Sequence, residues 1–78
     1  MQDRFTEYKQ NIYKNIGSNI RFYREKANIS QELLAEKVNC SREFINRIEN
    51  NKDKLGLPLL INISFVLNIP VEKFFVDL

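Results

Sequence analysis

Apolar residues at Ile16, Ile20, Tyr23 and Ala27 recur at spacings of four, three and four. That is the period of one helical face and not the alternation of a strand. Asn28 follows, in the position of a left-handed helix stop, so helix one is expected to end near Ala27. Ser30 then precedes residues 31–38 as an N-cap, and Glu32 lies in the first turn, where the helix dipole favours negative charge. A short helix two is expected there. Asn39 stands where a tight turn needs positive φ, which asparagine tolerates better than any residue except glycine. Ser41 is a second N-cap, and Ile45 and Ile48 form the inward side of helix three.

After Glu49 comes Asn-Asn-Lys-Asp-Lys, a polar loop of turn formers over residues 50–54, and then a segment over 57–67 that is apolar on nearly every side. A helix that apolar is expected at the centre of a bundle. Asn68-Ile69-Pro70 breaks it, and Pro70 opens a last short helix through Phe74 and Phe75. Upstream, Phe5, Tyr8, Ile12 and Ile16 recur at three, four and four, so residues 1–15 read as a helical N-terminal extension. It is either a continuation of helix one or a separate amphipathic helix. Gly17, which costs about 1 kcal/mol inside a helix, is where a break between two helices would fall. The expectation is an all-α chain: a compact five-helix bundle over residues 16–78, with an extra or extended N-terminal helix.

Composition removes several function classes. A chain of 78 residues is one domain that buries only about 60% of its unfolded surface, enough for a helical bundle but not for a deep pocket. One cysteine excludes an intrachain disulfide, and the absence of histidine excludes a Cys/His zinc cluster. Cys40 is expected to be a small, buried and inert side chain. No Gly-rich phosphate loop and no paired nucleophile and base are present, so neither an enzyme nor a cofactor or metal is expected. No run approaches the roughly 18 apolar residues of a membrane span, and the N-terminus, charged from Asp3 onward, does not resemble a signal peptide. A reducing cytoplasm is the expected location. The net charge of +2 conceals an uneven distribution: six basic and three acidic groups in residues 1–29, five of each in 30–54, one basic and two acidic in 55–78. Any binding face must therefore be selected from mixed charges.

Leu34, Val38, Cys40, Ile45 and Ile48, with small Ala35 on helix two and Asn39 at the turn, are what two steeply crossing helices require. The stretches "IGSNIRFYREKANISQELLAEKVNCSREFINRIENNK" and "LLINISFVLNIPVEKFF" carry this pattern in order. Over about residues 16–75 the chain resembles the lambda-repressor-like (Cro/C1, xenobiotic-response-element type) helix-turn-helix DNA-binding family. It departs where members usually have glycine, at Asn39 and Asn51, and near Leu55, where a proline is common.

The resemblance implies that the helix beginning at Ser41 enters the DNA major groove with Arg42, Glu43 and Arg47 at base edges. Arginine bonds guanine O6 and N7 bidentately, and Glu43 either accepts from a cytosine amino group or orients Arg47 one turn on. Read without the resemblance, the same residues are a solvated helix face with an i,i+4 pair between Glu43 and Arg47. Phe44 either touches a thymine methyl or covers the junction of helices two and three. Gln31, at the start of helix two, and Ser41, Asn50, Lys52 and Lys54 match phosphate-contacting positions, which orient a protein on DNA without reading it; for the loop residues Asn50, Lys52 and Lys54 the alternative is that they only solubilise the loop. Arg24 and Glu49 match a structural ion pair that holds helix three at its angle.

At the two ends, the Phe5, Tyr8, Ile12 stripe and the sequence "KFFVDL", with Phe74, Phe75 and Val76, carry more apolar surface than a chain end usually tolerates. Either the ends pack on each other or they form a homodimer interface, and the dimer is the reading adopted. The expected function is that of a sequence-specific double-stranded-DNA-binding regulator, a repressor that occupies a near-palindromic operator as a homodimer, with no membrane or small-molecule partner. The competing expectation is an antitoxin-like or adaptor module that uses the scaffold to bind another protein.

Overall fold

The computed structural model describes residues 4–78, which form α1 (Arg4–Lys26), α2 (Gln31–Val38), α3 (Arg42–Glu49), α4 (Leu57–Leu67) and a 3-10 turn, Val71–Phe75. Among the described residues there is no strand. The expected order of helical elements is present, but the fifth is a 3-10 turn and not an α-helix. Five residues after a proline are too few to propagate an α-helix, and Lys73 N–H instead donates to the Pro70 carbonyl at 3.0 Å.

Of the two expected readings of the N-terminal extension, the structure has the continuation of helix one. The first three residues of the predicted extension lie outside the described residues; from Arg4 onward, extension and helix one form one unbroken helix of 23 residues. Gly17 does not interrupt it. A Cβ added at Gly17 would run into the backbone carbonyl of Ile48, so the glycine is there to let α1 and α3 approach. Ala27 lies beyond the helix and is exposed; the inward face is completed by Arg24 instead.

Four helix ends share one device. Asn28, Asn39, Asn51 and Asn68 have φ of 61°, 60°, 58° and 57°, whereas neither glycine has positive φ. The residue after each asparagine donates its N–H five residues back: Ile29 to Arg24, Cys40 to Ala35, Lys52 to Arg47 and Ile69 to Ser64, at 2.8–3.1 Å. These are Schellman closures, in which asparagine occupies the left-handed position that glycine usually fills. At Asn51 the closure turns the chain sharply out of α3 into the loop towards α4.

The core joins Ile16 and Ile20 of α1, Leu34 and Val38 of α2, Ile45 and Ile48 of α3, and Leu60, Ile63 and Leu67 of α4. Phe74 is wholly buried among them, its ring edge-on to Tyr23 at 5.6 Å between centroids. This removes Phe74 from the candidate dimer surface: it anchors the chain end. Asn19, also fully buried, donates from Nδ2 to the carbonyls of Phe74 (3.0 Å) and Val76 (2.6 Å), tying the same segment to α1. Its position was not legible as an apolar periodicity. Conversely, α4 is not central. Only Leu60, Ile63 and Leu67 are buried, while Leu57, Ile61 and Phe65 form an exposed stripe, with Phe65 86% exposed. No described helix is long and apolar enough to cross a membrane.

Candidate nucleic-acid interface

Each short helix starts from a serine cap. With the serine backbone extended, Ser30 Oγ accepts from Leu33 N–H and Ser41 Oγ accepts from Phe44 N–H, both at 3.0 Å. The Ser41 hydroxyl proton stays available to an outside acceptor. From this start, Ile45 and Ile48 point into the core and Phe44 is half-buried against it, which favours packing over groove contact for Phe44. Two i,i+4 ridges remain on the solvent side of α3: Arg42, Asn46 and Asn50 on one, Glu43 and Arg47 on the other, all exposed.

The arginines differ in their surroundings. Arg42 stands exposed at the first helical position. Arg47 pairs with Asp53, Nε to Oδ2 at 3.4 Å, and Nη2 donates to the Lys52 carbonyl at 3.3 Å, so its guanidinium lies along the loop. Asp53 is itself fixed, because Oδ1 accepts from Lys54 N–H at 2.9 Å. Lys52 is exposed on that loop, while the Lys54 ammonium lies 5.4 Å from the centroid of the Tyr13 ring. Asn50 donates from Nδ2 to the Asn46 carbonyl at 2.8 Å, helping to close the end of α3.

Beneath the face is a polar chain. Arg24 grips Glu49 with Nε to Oε2 at 2.7 Å and Nη2 to Oε1 at 3.0 Å, the two side chains being 10% and 1% exposed. Nη1 donates to the Ile29 carbonyl at 2.9 Å. The hydrogen bonds it donates to Glu49 hold the Arg24 guanidinium above its usual pKa despite burial, so it stays charged at any physiological pH. Gln31, expected at a phosphate, turns inward and donates from Nε2 to Glu49 Oε1 at 3.0 Å; its Oε1 accepts from Asn46 Nδ2 at 3.3 Å. Cys40 is half-buried at the turn, where burial pushes its thiol pKa up, consistent with a packing role. Among the described residues no group of acidic, histidine or cysteine side chains could hold a metal ion.

The model of a helix-turn-helix family matches residues 20–74, taking in α2, the turn and α3 entire. The chain belongs to the Cro/C1-type helix-turn-helix family. Among its relatives, an uncharacterised helix-turn-helix transcriptional regulator of Sinorhizobium medicae is 38% identical over 63 residues, or 81% of this chain and 45% of the relative. The control protein C.SmaI of Serratia marcescens is 36% identical over 62 residues, covering 80% of this chain and 74% of that protein. The chain thus spans less than half of the rhizobial regulator. Two crystal structures share the fold. A hypothetical transcription factor from Neisseria has a TM-score of 0.81 at 19% identity, covering 87% of this chain and 76% of that one. The restriction-modification controller protein C.AhdI of Aeromonas hydrophila has a TM-score of 0.76 at 22% identity, covering 81% and 96%.

Within this Cro/C1-type domain, the structure brings Arg42, Glu43 and Arg47 onto one exposed side of α3, with Ser41 at its start and Lys52 beyond its end. Gln31, Asn50 and Lys54 have intramolecular partners, as does Arg47 of the exposed group through Asp53. Two residues beside the site have no role in the sequence reading: Asn46, a polar residue of the same helix, joined to Gln31, and Asp53, joined to Arg47. Their i,i+4 and loop positions gave a weak signal, but the partners lie across a helix crossing and a turn.

Proposed function

We propose that this chain is a sequence-specific double-stranded-DNA-binding transcriptional regulator that represses by occupying its operator as a homodimer. The observation that carries the reading is α3 itself: a capped helix braced from below by Arg24–Glu49, with Arg42, Glu43 and Arg47 on its open side. A helix of this kind docked in the major groove reads the donor and acceptor pattern that separates all four base pairs. Arg42 and Arg47 are assigned to guanine and Glu43 to a cytosine amino group. Ser41, Lys52 and Lys54 serve phosphates on either side, Lys54 after leaving the Tyr13 ring. Regulators and a control protein among the relatives support the same role.

The homodimer part rests on uncovered apolar side chains: Tyr8, Phe75 and Val76 towards the chain ends, and Leu57, Ile61 and Phe65 along α4. The α4 stripe also favours the second reading, an adaptor that binds a different protein, because nothing in its composition selects the partner. Enrichment from a random duplex library, followed by sequencing, separates the two. A regulator enriches a motif, and Arg42→Ala or Arg47→Ala then costs about 1–3 kcal/mol on that motif while relaxing preference at one position each. Recovery of unenriched sequence would favour the adaptor.

A further inference from the structure

We infer that Asn46 is an adenine-reading residue of α3, with the polarity of its amide set from the buried Glu49 carboxylate through Gln31. The inference rests on the DNA-reading proposal and adds to it a residue and a base. The chemistry begins with Glu49, whose ionised carboxylate only accepts hydrogen bonds. Arg24 supplies donors to both oxygens, and Gln31 adds its Nε2–H to Oε1. Because the carboxylate accepts and cannot donate, Gln31 must present its amino group inward and its carbonyl outward. That carbonyl in turn requires a donor, and Asn46 provides Nδ2–H at 3.3 Å.

Each amide orientation is therefore dictated by the charge below it. Turning Asn46 over would set Oδ1 against Gln31 Oε1, and turning Gln31 over would set its oxygen against a carboxylate. Asn46 is left with one N–H and one carbonyl oxygen free on an exposed side chain, on the same ridge as Arg42 and one turn further on. A donor beside an acceptor on one planar amide matches adenine, whose major-groove edge offers N7 to accept and N6–H to donate. Guanine offers two acceptors there and would face the Oδ1 lone pairs with O6. Asn50 does not compete for this amide, because it bonds to the backbone carbonyl of Asn46.

The test uses the enriched duplex and its three base variants at each position, titrated with wild type, Asn46→Ala and Gln31→Met, with melting curves confirming that both variants are folded. Wild type should prefer A·T at one position by about 10-fold, the usual order for a bidentate amide pair. Asn46→Ala should abolish that preference and leave the other positions unchanged. Gln31→Met should reduce it at the same position, because the asparagine amide becomes free to turn over. An Asn46→Ala protein that weakens all four duplexes equally, or keeps every wild-type preference, overturns the assignment; an unchanged Gln31→Met profile overturns the relay from Glu49. Failure of wild type to enrich any motif would be a different result, because it defeats the DNA-reading proposal itself.

Discussion

The α-carbon of Gly17 faces the carbonyl of Ile48 so closely that no other side chain fits between them. Alanine at Gly17 would gain about 1 kcal/mol of helix propensity. It would also force two backbones apart, where overpacking costs about 1–3 kcal/mol and backbone cannot rotate away as a side chain does. Gly17→Ala is therefore expected to lose about 1 kcal/mol net, a fall in Tm of about 4–8 °C for a domain of this size. Thermal denaturation followed by circular dichroism measures it; a raised Tm would mean that the crossing is looser than the structure has it.

The same crossing contains Arg24 and Glu49, two hydrogen-bonded charges out of water. Removing one leaves the other buried and unpaired, which costs about 3–5 kcal/mol, whereas an apolar pair of similar volume is often tolerated. Arg24→Ala should accordingly lower stability by about 3 kcal/mol in urea titrations, and the double variant Arg24→Met with Glu49→Leu should recover much of it. Equal losses in single and double variants would assign the effect to packing and not to charge.

Lys52 and Lys54 are expected to separate. Removing a lysine that neutralises one phosphate should reduce the slope of log affinity against log salt by about one unit. Lys52→Ala should do this and leave the melting temperature unchanged. Lys54→Ala should also cost about 0.5–1 kcal/mol of stability through the Tyr13 ring. Salt-dependent titrations on operator and random duplex give the slopes, and a wild-type slope for Lys52→Ala would return it to the role of loop solubiliser.

Elements set by local chemistry were legible in the sequence. The caps at Ser30 and Ser41 and the left-handed stops at Asn28 and Asn39 depend on residues within a turn of each other, and α2 and α3 occupy the expected positions. What the sequence did not disclose is set by partners distant along the chain. Gly17 was readable for its helix cost but not for the carbonyl of Ile48, far along the chain, that requires it. An all-round apolar α4 cannot show by itself which side finds cover, and "KFFVDL" does not show that Phe74 turns in while Phe75 and Val76 stay out. In the site, the outward ridge of α3 follows from helical period, but Gln31 reverses its expected direction because Glu49 lies below it.

Assembly is expected to follow the exposed stripe. Phe65 is the most open of the α4 apolar residues, so Phe65→Glu should leave the fold intact and split a homodimer. Sedimentation at micromolar concentration should give twice the chain mass for wild type and one chain mass for the variant. On DNA the wild-type dimer should protect half-sites about 34–36 Å apart. If Val76→Glu dissociates the protein and Phe65→Glu does not, the two-fold axis lies at the chain ends; a wild-type protein of single-chain mass would remove the dimer.

The four asparagine closures bear also on the state this chain leaves when it folds. Glycine sheds more backbone freedom on ordering than any other residue, a difference of roughly 0.5–1 kcal/mol relative to alanine. With asparagine at Asn28, Asn39, Asn51 and Asn68, the denatured ensemble is narrower at the helix junctions than glycine would leave it, so less entropy is surrendered there. Against that stands the left-handed strain, about 1–2 kcal/mol for an ordinary side chain and eased in asparagine by its short polar group. The two effects act on opposite sides of the equilibrium and largely offset, which leaves junctions that are stiffer in both states at little net change in stability.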